Sequence, residues 1–148
     1  VIRPQYETGN DRKAQQEIAQ FFAEKTKTAL AGTPKRYYFC DYFVRRDVPD
    51  GPRGAIVEVK DRPRAKWGEP LSISAEKVAK LVMFCSAFDA YRAIIVIRFG
   101  CGTVAWTFAS NVGQDVYVGG RRDRDDPDDE ELMVRIPHGA FRAIGRMT

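Results

Sequence analysis

At 148 residues and 16.8 kDa, with 44% hydrophobic and 30% charged residues, the chain has the composition of one globular domain with a real core. No apolar run approaches the roughly 20 residues of a membrane-spanning helix, and the widely spaced Cys40, Cys85 and Cys101 with a lone His138 leave little for a zinc site. The net charge of +4 is uneven: residues 121–131 hold three arginines against seven acids, a local −4, so the rest carries +8, a balance that suits a polyanionic partner and no membrane surface.

Residues 1–9 read as an irregular arm. From Asn10 to about Ala29, Ala14, Ile18, Phe21 and Phe22 recur at helical spacing, with Asn10 as N-cap and Gly32 and Pro34 as terminators. Three strands follow, "RYYF" (36–39), "DYFVRR" (41–46) and "AIVEVK" (55–60), the last two joined by the turn-rich "DVPDGPRG". After the basic loop "DRPRAKWGEPLS", Ser74 caps a helix to about Phe88 with Val78, Leu81, Val82, Cys85 and Phe88 on one face. "RAIIVIRF" and "TVAWTFA" form a hairpin around "GCG", and "DVYVGG" and "LMVRIP" are weaker strands flanking the acidic loop. The expectation is an α/β (α+β mixed-sheet) fold: helix, three-stranded meander, helix, strand, in one domain over 1–148 with a core of about 11–108 and a C-terminal β extension over 109–148.

The chemistry concentrates in "IVEVKDR" (56–62). Alternate strand residues face opposite sides, so Glu58 and Lys60 point together while Val57 and Val59 can enter a core. If the strand from Asp41 pairs with this one, Asp41 and Glu58 converge at one end of the sheet. Two carboxylates with the Val59 carbonyl make an all-oxygen donor set suited to Mg²⁺ or Mn²⁺. Lys60 can then position an attacking water and balance charge on a phosphate, and Glu17, at the edge of the first helix's apolar stripe, can add another acid; Glu7 is a weaker rival for that place. The alternative is a salt-bridged Glu58–Lys60 pair on an exposed strand face, against which the sequence on both sides is unusually apolar, with Asp41 a strand-start residue bonding local backbone.

Helix, Asp41, Glu58-x-Lys60, helix and strand, over roughly 11–108, resemble the PD-(D/E)XK nuclease superfamily, and "YET", "EVKDR" and "ISAEK" resemble its small phage-encoded or resolvase-like members. The resemblance implies a restriction-endonuclease-like core, Mg²⁺- or Mn²⁺-dependent hydrolysis of DNA with Asp41, Glu58, Lys60 and Glu17 as catalytic residues and Asp41, Glu58 and Val59 at the metal, action in the host cytoplasm, and a homodimer as a possible state. It also places Lys77 where resolvase-like members carry Gln or Lys in the second helix. Cys40 stands where the superfamily often has Pro, and residues beyond about 110 have no counterpart in the minimal core.

Lys60, Arg62, Arg64 and Lys66 with Trp67 make a loop fit for phosphate contact and base stacking, with Ser74 and Lys77 as further phosphate contacts. A solvated loop with Trp67 tucked against the fold fits the same residues. Ser74-x-x-Lys77 also matches the SxxK of serine-lysine acylases, but no KTG strand accompanies it, and Ser74 is more simply an N-cap. "DRDDPDDEE" lacks the turn glycine of a calcium loop. The competing functions are a non-catalytic nucleic-acid-binding module of the same fold, separated by its lack of metal-dependent cleavage, and a phage structural or interaction protein, separated by its lack of salt-sensitive DNA binding.

Overall fold

The computed structural model describes residues 9–32, 40–49, 51–87, 91–113, 115–120 and 130–148. Helix α1 (Gly9–Thr26) leads into β1 (Ala29–Gly32), β2 (Tyr42–Val48), β3 (Gly51–Arg62), β4 (Leu71–Ser74), α2 (Ala75–Ala87), β5 (Tyr91–Phe99), β6 (Thr103–Phe108), β7 (Val116–Gly120), β8 (Glu130–Ile136) and β9 (Arg142–Arg146). A six-stranded sheet runs β1-β2-β3-β5-β6-β9, and a smaller one runs β4-β8-β7. In the large sheet β3 and β5 are parallel, with Glu58 opposite Ile95 and Lys60 opposite Ile97, and the remaining neighbours are antiparallel. A parallel pair needs a long crossover, and β4 with α2 supplies it. The result is the mixed α/β architecture expected, with a helix against each face of one sheet.

The alternation of β3 builds two cores. Ala55, Val57 and Val59 pack with Val96 and Val104 against Ile18, Ala19 and Phe22 of α1. Ile56, with Ile95, Ile97 and Phe99 of β5, packs against Val78 and Leu81 of α2 and against Leu71, Ile73, Val134 and Ile136 of the small sheet. With apolar side chains on both sides, β3 and β5 read as near-continuous hydrophobic runs, as strands covered on both faces do. A polar residue in such a run is conspicuous, and Glu58 and Thr107 are the buried polar residues of the described chain.

Several local readings need correction. Helix α1 begins at Gly9, so Asn10 lies inside it, and β2 and β3 run to Val48 and from Gly51, through most of the segment read as a turn. The first helix stops at Thr26 rather than near Ala29: Lys27 takes a left-handed φ of 55°, and Thr28 N–H closes onto the Ala23 carbonyl. Ala29–Gly32 is instead a strand, pairing with Tyr42–Arg45. β4 emerges where the segment read as loop ends and runs to Ser74, and β9, not foreseen, returns to the large sheet beside β6. The proposed strand 36–39, Glu7, Phe88 and the acidic stretch 121–129 lie outside the described residues. None of the described helices is long and apolar enough to cross a membrane.

Candidate active site

The β2–β3 ladder ends at the pair Tyr42–Val57. One residue beyond, Asp41 donates its backbone N–H to the Val57 carbonyl at 3.0 Å and accepts the Val59 N–H on Oδ2 at 2.7 Å. The aspartate side chain thus takes over a backbone bond where the strand partner runs out. A charge-assisted bond of this kind is stronger than a neutral one and holds the carboxylate against β3.

Glu58 is the neighbour that this places beside Asp41. Its side chain is 1% exposed. Lys60 Nζ lies 3.0 Å from Oε1, and Lys77 Nζ, reaching in from the first turn of α2, lies 3.4 Å from Oε2. Lys77 is held there because Ser74 Oγ caps the helix, accepting the Lys77 N–H at 3.4 Å. Oε2 has that charge partner but no hydrogen-bond donor aimed at it. Burying a carboxylate is costly unless its charge is balanced and its lone pairs filled. Two lysines balance the charge here, and one oxygen remains to be filled.

Burial first, and then the Glu58 charge, push the Asp41 carboxyl up to about 7, against the Val59 N–H, Lys60 and Lys77, which favour its ionised form. The same carboxylates, after burial, push the Cys40 thiol up to about 12, so Cys40 stays protonated and offers no soft thiolate. Among the described residues no three His, Cys, Asp or Glu side chains are placed to hold a metal. Two carboxylates with the Val59 carbonyl nevertheless suit Mg²⁺ or Mn²⁺, since Mg²⁺ is commonly bound through one or two carboxylates and keeps several waters. The donor set, all hard oxygen with one buried oxygen unfilled, fits such an ion.

Asp41 gives a pH prediction. An acid whose folded pKa lies above its unfolded value of about 3.9 stabilises the fold when protonated. That contribution is complete below about 4, falls as pH rises, and is gone above about 7, a loss on the order of a few kcal/mol. Denaturant unfolding in EDTA should therefore show stability falling between pH 5 and 7 in the wild type and a flatter profile in Asp41→Asn. Equal slopes for the two proteins would refute the assignment.

Asp41, Glu58, Lys60 and Lys77 come together. Glu17 does not join them: it is exposed on α1, across the sheet, and its charge is felt at Arg98. Ala14, Gln15, Ile18, Ala19 and Phe22 form the covered side of that helix. Arg62 follows Lys60 on the same side of β3, and exposed Arg64 and Lys66 sit in the turns beyond. Trp67 packs edge-on against Phe99 and His138, with ring centroids 5.1 and 4.3 Å away, and so ties this loop to the core. The sequence reading missed the bidentate Arg98–Asp61 pair, at 3.0 and 2.8 Å, on the α1 side. It also gave Lys77 to phosphate contact without foreseeing its ion pair with Glu58.

A carboxylate pinned at the end of one strand, a buried glutamate on the next and a lysine two residues on stand in the arrangement that the Asp41…Glu58-x-Lys60 pattern led one to expect. The chain belongs to the family described as "Phage putative PDDEXK endonuclease", whose model matches residues 1–144. Nuclease is accordingly its class. A solved structure similar to it is that of Archaeoglobus fulgidus Hjc, a Holliday junction resolvase from an archaeal hyperthermophile, at 17% identity and a TM-score of 0.48, covering 87% of this chain and 88% of that one. No curated protein matches the chain.

Proposed function

We propose that this protein is a divalent-metal-dependent deoxyribonuclease hydrolysing phosphodiester bonds of DNA, encoded by a phage and acting in the host cytoplasm. The observation that carries the reading is the buried Glu58 carboxylate, with one oxygen lacking a hydrogen-bond donor, beside a second carboxylate at the end of the neighbouring strand. Asp41, Glu58 and the Val59 carbonyl would hold Mg²⁺ or Mn²⁺. Such an ion supplies Lewis-acid polarisation of the phosphate and a lowered pKa for water.

The chain's own residues do the rest. Lys60, a quarter exposed at the edge of the site, presents a cation to the scissile phosphate and orients the attacking water. Lys77, equally exposed, balances the Glu58 charge and fixes the carboxylate's orientation from the opposite oxygen. Arg62, Arg64 and Lys66 offer phosphate contacts downstream on the same stretch of chain. A homodimer is compatible with a nuclease that cuts two strands, and a second copy would bring a second such centre.

The test is cleavage of supercoiled plasmid DNA. Nicking should appear with Mg²⁺ or Mn²⁺ and stop on adding EDTA. DNA left intact under both metals would favour the non-catalytic binding module, and absence of salt-sensitive DNA binding as well would favour the interaction protein.

A further inference from the structure

The small sheet is apolar beyond the part that the core covers. Val116 lies opposite Val134 and Val118 opposite Leu132, while Leu71 and Ile73 of β4 lie opposite Ile136 and Val134. Directly opposed residues share a face, so all of these side chains line one side of the sheet. At the β4 end they are buried against α2 and the large sheet, whereas Val116, Val118 and Leu132 stay exposed, Val118 at 68%. With Met83 these three are the exposed large hydrophobic residues of the described chain. Met83 stands one turn beyond Ala79 on α2, and Ala79 lines a groove with Leu132, so Met83 borders the same surface.

β7 is also an edge of that sheet, with β8 on one side and, among the described residues, no strand on the other. Arg135 donates its N–H to the Asp115 carbonyl at 2.8 Å, which makes Asp115–Arg135 a hydrogen-bonded pair. Such pairs alternate along an antiparallel ladder. Tyr117 and Gly119 therefore turn their backbone groups toward β8, and Val116, Val118 and Gly120 turn theirs outward. An open edge is a template for another strand, and proteins guard it with charge, proline, a bulge or brevity. The other edges are so guarded: β1 and β4 have four residues each, and β9 carries Arg142 and Arg146 beside a bulge in its ladder with β6. β7, Val-Tyr-Val-Gly-Gly in regular register, has no charge, proline or bulge.

The outward groups suit a second copy of the chain. They belong to Val116, Val118 and Gly120, which are spaced symmetrically about Val118. A two-fold axis at Val118 sets that residue opposite itself and Val116 opposite Gly120 of the second copy, so every outward N–H and C=O finds a mate. The apolar side chains of the two strands then lie side by side on one face. Charge does not oppose this: Glu130 and Glu131 sit on β8, so the strands that carry them in the two copies are three spacings, about 14 Å, apart, beyond the roughly 10 Å screening length. We infer that β7 is a self-association edge, through which two copies join by antiparallel β7–β7 pairing, their three-stranded sheets becoming one continuous sheet. The inference does not rest on the nuclease reading. Where both hold, the pair carries two Glu58–Lys60 centres related by the two-fold axis.

The experiment is sedimentation equilibrium on the whole chain, without DNA or metal. The wild type should approach twice 16.8 kDa as its concentration rises. Val118→Lys and Val118→Glu each set like charges opposite one another across the axis and should weaken association by at least about tenfold. Both changes fall on an exposed side chain, so circular dichroism should match the wild type. An equimolar mixture of the two variants should recover the doubled mass, because lysine then faces glutamate, a rescue that misfolded variants would not give. Monomer mass in the wild type at every concentration would overturn the inference and leave the edge to a strand from another protein. A doubled mass that both variants keep, or that their mixture fails to restore, would overturn pairing about Val118. DNA cleavage is read separately on plasmid, so none of these results decides the nuclease reading.

Discussion

Glu58→Gln should reduce metal-dependent DNA cleavage by at least about 10³-fold, on the order of 4 kcal/mol of transition-state stabilisation. The substitution keeps the shape of the side chain and removes its charge, so the volume between Ile56 and the first turn of α2 stays filled. Folding should survive, because a buried ion pair is weak evidence for stability and a neutral replacement of similar volume is often tolerated or favourable. Lys60 and Lys77, each about a quarter exposed, can turn to solvent when the carboxylate is gone. Thermal unfolding within a few degrees of wild type, alongside lost nicking of plasmid DNA, is the expected pair of results. Asp41→Asn should behave alike in activity, since an amide oxygen can still accept the Val59 N–H while the ligand charge is lost. Full activity in Glu58→Gln would remove the glutamate from the metal site, and a protein that fails to fold would make it a packing residue.

What made Glu58 legible was a local rule. Val57, Glu58, Val59 and Lys60 alternate sides on any extended strand, so the pairing of acid and base needed no tertiary knowledge. The partner strand was legible too, because Asp41 and Glu58 flank a hairpin whose register a turn fixes. Lys77 is another matter. It meets Glu58 only because the crossover through β4 and α2 lays that helix over β3, a contact between residues far apart in sequence. The Asp61–Arg98 pair likewise depends on the parallel register of β3 with β5.

The missed strands share a physical cause. Ala29–Gly32, Leu71–Ser74 and Arg142–Arg146 are four or five residues each. "ALAG" and "RAIGR" contain residues with little intrinsic strand preference, and their conformation is imposed by β2 and β6 at the sheet's edges. Glu17 fell on the wrong side of a phase estimate: a stripe centred on Ile18, Ala19 and Phe22 takes in Gln15 and turns Glu17 outward. Single-helix periodicity resolves a stripe, and it does not fix which flank of that stripe meets the sheet.

Lys60 separates mechanism from architecture, because the same site holds a second lysine on the same carboxylate. If the purpose of Lys60 were to neutralise Glu58, Lys77 at 3.4 Å would serve nearly as well as Lys60 at 3.0 Å, and removing either would have similar consequences. If Lys60 instead meets the phosphate and the attacking water, the two substitutions must differ. Lys60→Ala is expected to lose about 10²-fold in rate, about 2.7 kcal/mol, the scale of one well-placed charged group facing developing negative charge. Mn²⁺ affinity, measured by calorimetry on the same protein, should persist, since Asp41, Glu58 and the Val59 carbonyl are all retained. Lys77→Ala should cost less in rate and more in metal affinity, because it frees the Glu58 carboxylate to turn. Lys60→Arg keeps the charge on a longer, planar donor and should recover only part of the rate. Equal rate losses in Lys60→Ala and Lys77→Ala would reduce both lysines to counter-ions, and an undiminished rate in Lys60→Ala would leave the strand motif without its catalytic cation.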